Sequence, residues 1–568
     1  MREISSRKHD EDVPVLIVGG SVVGLSMALF LAQHGIPALL VERHATTSIH
    51  TRAGSFNART MELYRQVGIE SAIFEQETPP EQLGEMALRV ESLTGRVLDT
   101  TEALARQQSS SINPFASSMR AAMIGQDKLE PILQKHAGEL GSDIRFGTEL
   151  VHFEQHVGGI NALIRERATG QEHRIHAHYL VAADGHRSAI RQQLGIGSYG
   201  YGTLGQWVSI LFQTDLSEAL QGRKVTLCFV NNATVDGIIG QSGEFRGRWA
   251  LFANLKPRSG ERLDAPSEAY CLDLVRAAIG IPDQPVKIVS TLPWELASRV
   301  AERYQQKRVF LVGDAAHVMT TMGAFGANTG IADAHNLAWK LAFVLKNKAH
   351  ENLLATYGQE RQPAADLAVG VSTGLYAYRL PHHEQREAIT RSAEEMLMRI
   401  GKRPDGPRPT AFSVIYGYRY RSAAVSHENE DEDALFENEP SGRPGTRAPH
   451  VWLSHNGKQI SILDLYGSNF VLLAGSDGQC WHEMFVKEAS RLGLSVDRYS
   501  IGQDQPYSDG DGGFLASYGI SDSGAVLVRP DGFIAWRAQH ATTKPIGSDE
   551  IFMDLSRLLG YAPPASTL

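Results

Sequence analysis

The apolar residues change their period several times along the chain, and each change predicts an element. Val15–Val18 is a short unbroken apolar run, which suits a strand buried on both faces. Gly19, Gly20 and Ser21 interrupt it, and the stretch from about Val22 to His34 is then apolar nearly all round. Such a helix has no water-facing side and belongs beneath a sheet. Gly35 closes it, and Ala38–Val41 resumes as a second buried strand. Helical spacing returns in Asp127–Glu139, and strand-like segments follow in "RFGTELVHFEQH" and "HRIHAHYLVAADG". From about 205 to 295 the text reads largely as strands, "WVSILFQTDL", "KVTLCFV", "GIIGQ" and "GRWALFANL", parted by turn residues. "RVFLVGDAAH" is a further strand, and the helix expected from about Gly330 has its stripe at Ile331, Ala334, Ala338, Leu341 and Leu345. The stretch from about 350 to 425 is mainly helical. Past 440, "NFVLLAGSDG", "LSVDRYSIG" and "GAVLVRPDGFIAWR" are strands around a helix near Trp481–Leu492, a small α/β unit.

These elements predict an α/β protein of several domains, which a length of 568 residues also suggests. A Rossmann-like unit spans 1–200 and 296–370, and a β-rich mixed sheet is inserted at 201–295. A helical segment and acidic linker occupy 371–440, and the last unit runs over 441–568. The linker is placed at "HENEDEDALFENE" (His427 to Glu439), which reads as solvated charge, with Gly442, Pro444 and Gly445 marking the boundary. A formal net charge of -9 argues against a nucleic-acid or anionic-membrane partner. The three cysteines, Cys228, Cys271 and Cys480, lie far apart without CxxC, so neither a disulfide framework nor a zinc site is expected, and no metal-ligand cluster stands out. The polar N-terminus has no signal-peptide core, and the most apolar stretch, Val22 to Ala32, is too short to span a bilayer. A cytoplasmic protein is expected.

Chemistry enters at three strand ends. The first is "GGSVVG" between strand and buried helix: Gly19 permits the tight turn, Gly24 lets helix and strand approach, and the helix N-terminus through Val22 and Val23 offers free N–H groups to a pyrophosphate. Glu42 ends the second strand, where an acid accepts from a ribose, which suits FAD or NAD better than NADP. Ser21 stands where the middle glycine of G-x-G-x-x-G is expected, and its small hydroxyl is able to donate. The second is "ADGHRS", with Asp184 and Gly185 after a strand, and the third is "GDAAH", with Asp314 placed to hold a polyol hydroxyl.

Together the three motifs resemble those of the class A flavoprotein monooxygenases, the p-hydroxybenzoate-hydroxylase-like family, in order and spacing. "RAGSFNARTMELYRQVG" (Arg52 to Gly68), "IGQDKLE" and "GANTGIADAHNLAWKLA" also match flavin-facing segments of that family. The tail is similar to the thioredoxin-like C-terminal domain of its phenol hydroxylase and bacterial aromatic polyketide hydroxylase members. The resemblance implies FAD as a bound cofactor, with NADPH or NADH as transient electron donor and O2 and an aromatic molecule as substrates. It implies that Gly19, Ser21, Val22, Val23 and Gly24 face the pyrophosphate, Glu42 the ribose, and Arg43 the adenosine. Gln126 and Asp314 would face the ribityl part, and Asp184 both flavin and nicotinamide. Arg52, Gly326, Ala327 and Asn328 would also line the cofactor, the backbone N–H groups of Ala327 and Asn328 stabilising charge on the reduced flavin. The reaction implied is oxygenation of a polycyclic, polyketide-type aromatic through a flavin C4a-hydroperoxide, with Baeyer–Villiger or ring-remodelling chemistry, or a bare NAD(P)H oxidase, as alternatives. A halogenase would carry WxWxIP, and no two of the seven tryptophans stand two residues apart.

The substrate pocket is far less defined. Trp207, Phe212, Phe229, Trp249 and Phe252 are the candidate aromatic walls, Tyr376, Tyr416 and Tyr418 weaker ones, and no catalytic base is identified. Thr320 and Thr321, with Met322 beside them, occupy the place where the family commonly has Pro-Pro. Threonine restores two N–H groups and adds hydroxyls that proline lacks, so these residues are expected to alter proton delivery or oxygen access unless neighbours fix the loop. Cys480 has no partner thiol, so the last unit reads as an interaction module rather than a redox catalyst.

Overall fold

The computed structural model describes residues 10–50, 53–79, 84–100, 116–241, 247–256, 259, 262–380, 383–401, 406–427, 435–510, 512–541 and 548–561. Three sheets organise it. In the first, Glu11–Val18 lies between Leu39–Glu42 and Glu172–Ala182, parallel to both, with Leu16 opposite Leu39 and Val15 opposite Tyr179. Asp143–Phe146 extends one edge and Val309–Leu311 the other, both parallel, and an antiparallel pair, Thr148–His156 and Gly159–Glu166, joins alongside Glu172–Ala182. Helix α1 (Val22–Gln33) packs between this sheet and the long helix Phe325–Leu345, covered on every side. Its all-round apolar sequence follows from that position.

The second sheet runs in the order His317–Val318, Lys287–Ala301, Ser198–Gln213, Arg248–Asn254, Asp236–Gln241, Val225–Asn231, Glu85–Val90 and Val97–Thr100. Its last two strands come from residues that the sequence division assigns to the first unit. The stretch 201–295 is also not all strand, because Glu268–Ile279 is a helix. Ser267 caps it by accepting from the Tyr270 amide, Gly280 ends it at φ 91°, and Leu274, Val275 and Ala278 bury one face against the sheet.

The third sheet places Phe470–Gly475 between a parallel neighbour, Val496–Ile501, and an antiparallel one, Ala525–Val528, which continues to Ile534–Ala538. Helices Gln479–Arg491 and Ser548–Leu558 pack together on it, the arrangement of a thioredoxin-like unit. The acidic linker is only partly solvated: 428–434 lie outside the described residues, but Leu435 and Phe436 pack into a core with Phe412, Tyr416 and Tyr418. Among the described residues no helix is long and apolar enough to cross a membrane, and no cluster of side chains could hold a metal ion.

Candidate active site

The parallel strands of the first sheet end together, and the three glycine-rich turns follow from those ends. Gly19 takes φ 113°, and a Cβ there would lie 2.2 Å from the Ala183 carbonyl oxygen. A Cβ on Gly24 would lie 1.9 Å from the Gly19 oxygen, so only glycine lets helix, turn and neighbouring strand approach this closely. Glu42 closes the turn from the second strand by accepting from the Gly20 amide at 2.7 Å and the His44 amide at 2.8 Å. Arg43 is exposed beside it, and Arg52 lies outside the described residues.

The free-donor expectation for Ser21 and Val22 is corrected by Glu130, which the motif reading passed over. Glu130 is buried, and its Oε1 accepts from Ser21 Oγ (2.9 Å), the Val22 amide (3.1 Å) and Gln126 Nε2 (2.6 Å). Its Oε2 accepts from the Ser48 amide at 2.8 Å, and Gln126 also donates to Ser21 Oγ at 2.9 Å. The serine proton is therefore committed inward. A signal was present: Gln126 and Glu130 stand four apart on helix Gln126–Glu139 and share a face. The Val23 side chain wedges between two glycines, 3.0 Å from a Cβ built on Gly313 and 2.7 Å from one on Gly330.

After Glu172–Ala182 comes Asp184, whose Oδ2 accepts from the Ile190 amide at 3.2 Å while its buried Oδ1 has no hydrogen-bond partner. Burial raises its carboxyl pKa, against the opposing pull of Ser188 and Ile190. Arg191 ties this turn to the next by donating to the carbonyls of Ala315 (2.8 Å) and His186 (3.2 Å). In that next turn Asp314 is exposed. Behind it the buried Asp333 accepts from the Gly313 amide (3.1 Å), His317 Nε2 (2.7 Å) and Arg361 Nε (2.8 Å). Burial works to raise the Asp333 pKa, but His317 and Arg361 hold it below the ordinary carboxylate value.

Helix Phe325–Leu345 starts five residues before the expected Gly330. Gly326 and Ala327 thus lie in its first turn, where amides lack intrahelical acceptors, whereas the Asn328 amide is one residue past them. Asn328 works through its side chain instead. Its Oδ1 accepts from the Asn57 amide (3.0 Å) and Thr60 Oγ1 (2.6 Å), and its Nδ2 donates to the Ala324 carbonyl (2.8 Å). The residues before the helix, Gly323 at φ 82° and Ala324 at φ 53°, are both left-handed, and for alanine this costs roughly 1–2 kcal/mol.

The threonine pair divides. Thr320 is buried with Oγ1 against Ser372 Oγ (2.6 Å) and the Ser372 carbonyl (3.0 Å), so its hydroxyl braces the loop on helix Ala355–Tyr378. Thr321 is exposed. Met322 is buried in an aromatic cluster with Trp207, Phe229, Leu296 and Tyr376, against which Phe252 and Trp294 pack.

That cluster lies on one face of the second sheet. Phe212 and Trp249 alternate to the opposite face and pack in the core under Glu268–Ile279, so they are corrected from pocket wall to core. Tyr416 and Tyr418 belong to another core, near the third sheet. Arg379, which no sequence signal marked, lies with its guanidinium 4.0 Å from the Phe229 ring centroid and 3.6 Å from Met322 Sδ. Burial lowers its pKa, Asp236 opposes that, and among the described residues no carboxylate reaches ion-pair distance.

The Asp184 Oδ1 without a hydrogen-bond partner, the exposed Asp314 carboxylate and the first-turn amides of Phe325–Leu345 offer acceptors and donors at the turns that follow Glu172–Ala182 and Val309–Leu311. That donor and acceptor set fits a flavin dinucleotide. Residues 12–372 match the family model of the FAD-binding domain, and residues 441–562 match that of the aromatic-ring hydroxylase C-terminal domain. The chain belongs to the FAD-dependent aromatic-ring hydroxylases. It is 41% identical to a 4-methyl-5-nitrocatechol 5-monooxygenase of Burkholderia sp, covering 94% of this chain and 96% of that one. It is 38% identical to the tetracenomycin A2 monooxygenase-dioxygenase of Streptomyces glaucescens, over 97% of both chains. The structure of an aklavinone-11 hydroxylase with FAD and aklavinone is similar at TM-score 0.85 and 35% identity, over 98% of this chain and 100% of that one. This enzyme is an FAD-dependent monooxygenase, with NAD(P)H as its electron donor.

Proposed function

We propose that the enzyme hydroxylates a polycyclic phenol held between the aromatic face of the second sheet and the turn that begins helix Phe325–Leu345. The observation that carries this reading is the wall of Trp207, Phe229, Phe252, Trp294, Met322 and Tyr376, one apolar surface joining sheet, turn and helix. A fused ring system buries far more area on such a wall than a single ring does. The relatives named for tetracenomycin A2 and aklavinone support it. Arg379 is the residue to meet a phenolate, since its guanidinium lies over this wall and among the described residues no carboxylate reaches ion-pair distance of it. Tyr376, with its pKa pushed up to about 12 by burial, stays a neutral donor. We place the enzyme in the reducing cytoplasm, which suits a chain with only three cysteines, far apart and without CxxC.

In this reading Glu42 accepts from the adenosine ribose, with Arg43 beside the adenosine. Asp314 holds the ribityl chain, and Gln126 stands at its phosphate end. Asp184 Oδ1 accepts the hydrogen bond it lacks in the protein alone, and Arg52 is assigned from the family resemblance. Bound FAD supplies hydride acceptance and the transfer of one oxygen atom from O2 to the ring. The protein contributes position, charge and dryness. The amides of Gly326 and Ala327, at the positive end of a 21-residue helix, favour negative charge in front of them. One such donor is worth about 3 kcal/mol of barrier. The aromatic roof keeps water from the reacting atoms.

The test follows NADH and NADPH consumption under 18O2 with a tetracyclic phenol and, in parallel, a nitrocatechol. One labelled oxygen in the tetracyclic product, with substrate-stimulated NAD(P)H consumption, is expected. Hydrogen peroxide without labelled product overturns the hydroxylase reading; turnover of the single ring alone overturns the polycyclic one. Arg379→Met is expected to raise KM by about tenfold, the worth of one charge-assisted hydrogen bond.

A further inference from the structure

Helix Ala58–Gln66 carries charge at Arg59, Glu62 and Arg65, a stripe that on an ordinary surface helix faces water. Here Arg59 is 6% and Glu62 3% exposed, and all three residues are held by the thioredoxin-like unit. Arg59 Nη2 donates to the Asp531 carbonyl at 2.8 Å, Arg447 Nε donates to Glu62 Oε2 at 3.1 Å, and Arg65 Nε donates to Asp464 Oδ1 at 2.7 Å. The same helix reaches the other way at its start. The Asn57 amide and Thr60 Oγ1 both donate to Asn328 Oδ1, and Asn328 Nδ2 holds the carbonyl of the left-handed Ala324. A cavity of about 20 Å³ lies where the two sets meet, lined by Arg59, Thr60 and Asn328 among others.

Adhesion alone would not call for this arrangement. Buried charges lose their hydration, and a well-packed apolar face of equal volume usually holds at least as well. What directional ion pairs add is a single allowed register. The register set here is that of a helix whose first turn grips the residue at the start of Phe325–Leu345.

We propose that the thioredoxin-like unit is a positioning element for the flavin-facing turn, with Arg447 acting on Glu62, and Thr60 in turn on Asn328. This rests on the reading that the turn faces the flavin, and it gives the third unit a part in coupling NAD(P)H oxidation to oxygen transfer. Arg447 is a positioning residue; it touches neither the wall nor the flavin-facing turn.

The experiment uses the full-length holoenzyme in four variants: Arg447→Met, Arg447→Lys, Asn328→Ala, and Phe514→Leu as a destabilising control in the core of the third unit. The readouts are the visible spectrum of the bound flavin and the share of NAD(P)H that ends as hydrogen peroxide, each set against the loss in Tm. Arg447→Met is expected to shift the spectrum and raise the peroxide share about threefold, as small misplacements at a reacting centre do. Arg447→Lys recovers part of both, and Phe514→Leu changes neither. A wild-type spectrum and peroxide share in Arg447→Met, with Asn328→Ala altered, overturns the proposal alone. An unaltered Asn328→Ala removes the flavin-facing reading beneath it and the proposal with it. A Phe514→Leu enzyme that reproduces the Arg447→Met changes reduces the effect to lost stability and also overturns it.

Discussion

Ser21 shows how a single side chain can match a motif and yet act differently from the glycine it replaces. Its hydroxyl donates to Glu130 and accepts from Gln126, so it completes a buried cluster beneath the turn. Ser21→Gly should therefore lower the Tm of the apoprotein, by an amount equivalent to about 1 kcal/mol, the usual net worth of such a hydrogen bond. The affinity for FAD, read from the quenching of flavin fluorescence, should stay within a few-fold of wild type. A large loss of affinity would mean that the hydroxyl reaches the cofactor after all. Asp366 gives a second test. It accepts from Tyr199 OH at 2.8 Å, and burial pushes its pKa up to about 6, outweighing Tyr199 and Arg399. A carboxyl whose folded pKa lies above its unfolded one stabilises the fold while protonated, and that contribution is lost as pH rises through about 6. The stability of wild type relative to Asp366→Asn should thus fall by about 2–3 kcal/mol between pH 4 and pH 8, measured by urea unfolding. A difference independent of pH would refute the raised value.

Elements were readable where their signal is local. The buried helix Val22–Gln33 and its flanking strands follow from uninterrupted apolar runs, and the three glycine turns from residues that only such turns require. Two misreadings have a common cause. Glu268–Ile279 had both a serine cap and a closing glycine, but it sat among strands and took their pattern. Phe325–Leu345 begins ahead of its apolar stripe because Gly326 and Gly330 carry a loop signal within the helix, and Gly330 is there so that Gly313 and Val23 can approach. Phe212 and Trp249 were lost to parity, while Trp207, Phe229 and Phe252 share the face of Met322: a strand shows its period of two, and only the fold says which face meets the flavin turn. His335 of Phe325–Leu345 turns towards α1, its ring against Phe30 (4.8 Å between centroids) and its Nε2 near Gln66 Oε1 at 3.1 Å. Burial first, and then the charge of Arg59, lowers its pKa to about 3. Below pH 6.5 the unfolded chain binds a proton that the folded one refuses, so stability falls with falling pH down to about 3. His335→Gln should remove nearly one proton from the acid slope of the unfolding free energy, about 1.4 kcal/mol per pH unit. An unchanged slope would show that the ring accepts its proton in the folded protein.

The joint between the flavin unit and the thioredoxin-like unit was invisible in the sequence, because its partners stand far apart along the chain. Arg529 donates to both oxygens of Glu360, at 2.6 and 2.8 Å, from 169 residues away, and also pairs with Asp531. Lys340 donates to Glu360 Oε2 at 2.6 Å, Ser422 to its Oε1 at 2.6 Å, and Asn336 joins Glu360 to Asp531. All of these groups are buried. Burial lowers the Lys340 pKa to about 8 despite Glu360, which marks how little solvent the site retains. Glu360 is the hub, since it neutralises cations from two units at once. Removing one partner from such a cluster leaves an uncompensated buried charge, at about 3–5 kcal/mol. Glu360→Gln leaves Lys340 with no carboxylate at ion-pair distance among the described residues and Arg529 with Asp531 alone, and should cost more than Arg529→Met, which leaves Glu360 still paired with Lys340. The pattern of unfolding should change as well. In wild type the cluster should make the two units melt together; in Glu360→Gln the thioredoxin-like unit should come loose first. A urea titration followed separately by bound-flavin fluorescence and by far-UV circular dichroism then shows two midpoints instead of one. Coincident midpoints in Glu360→Gln, or a smaller loss of stability than in Arg529→Met, would mean that the aromatic contacts around Phe533 and Tyr420, stacked 4.1 Å apart, are what joins the units.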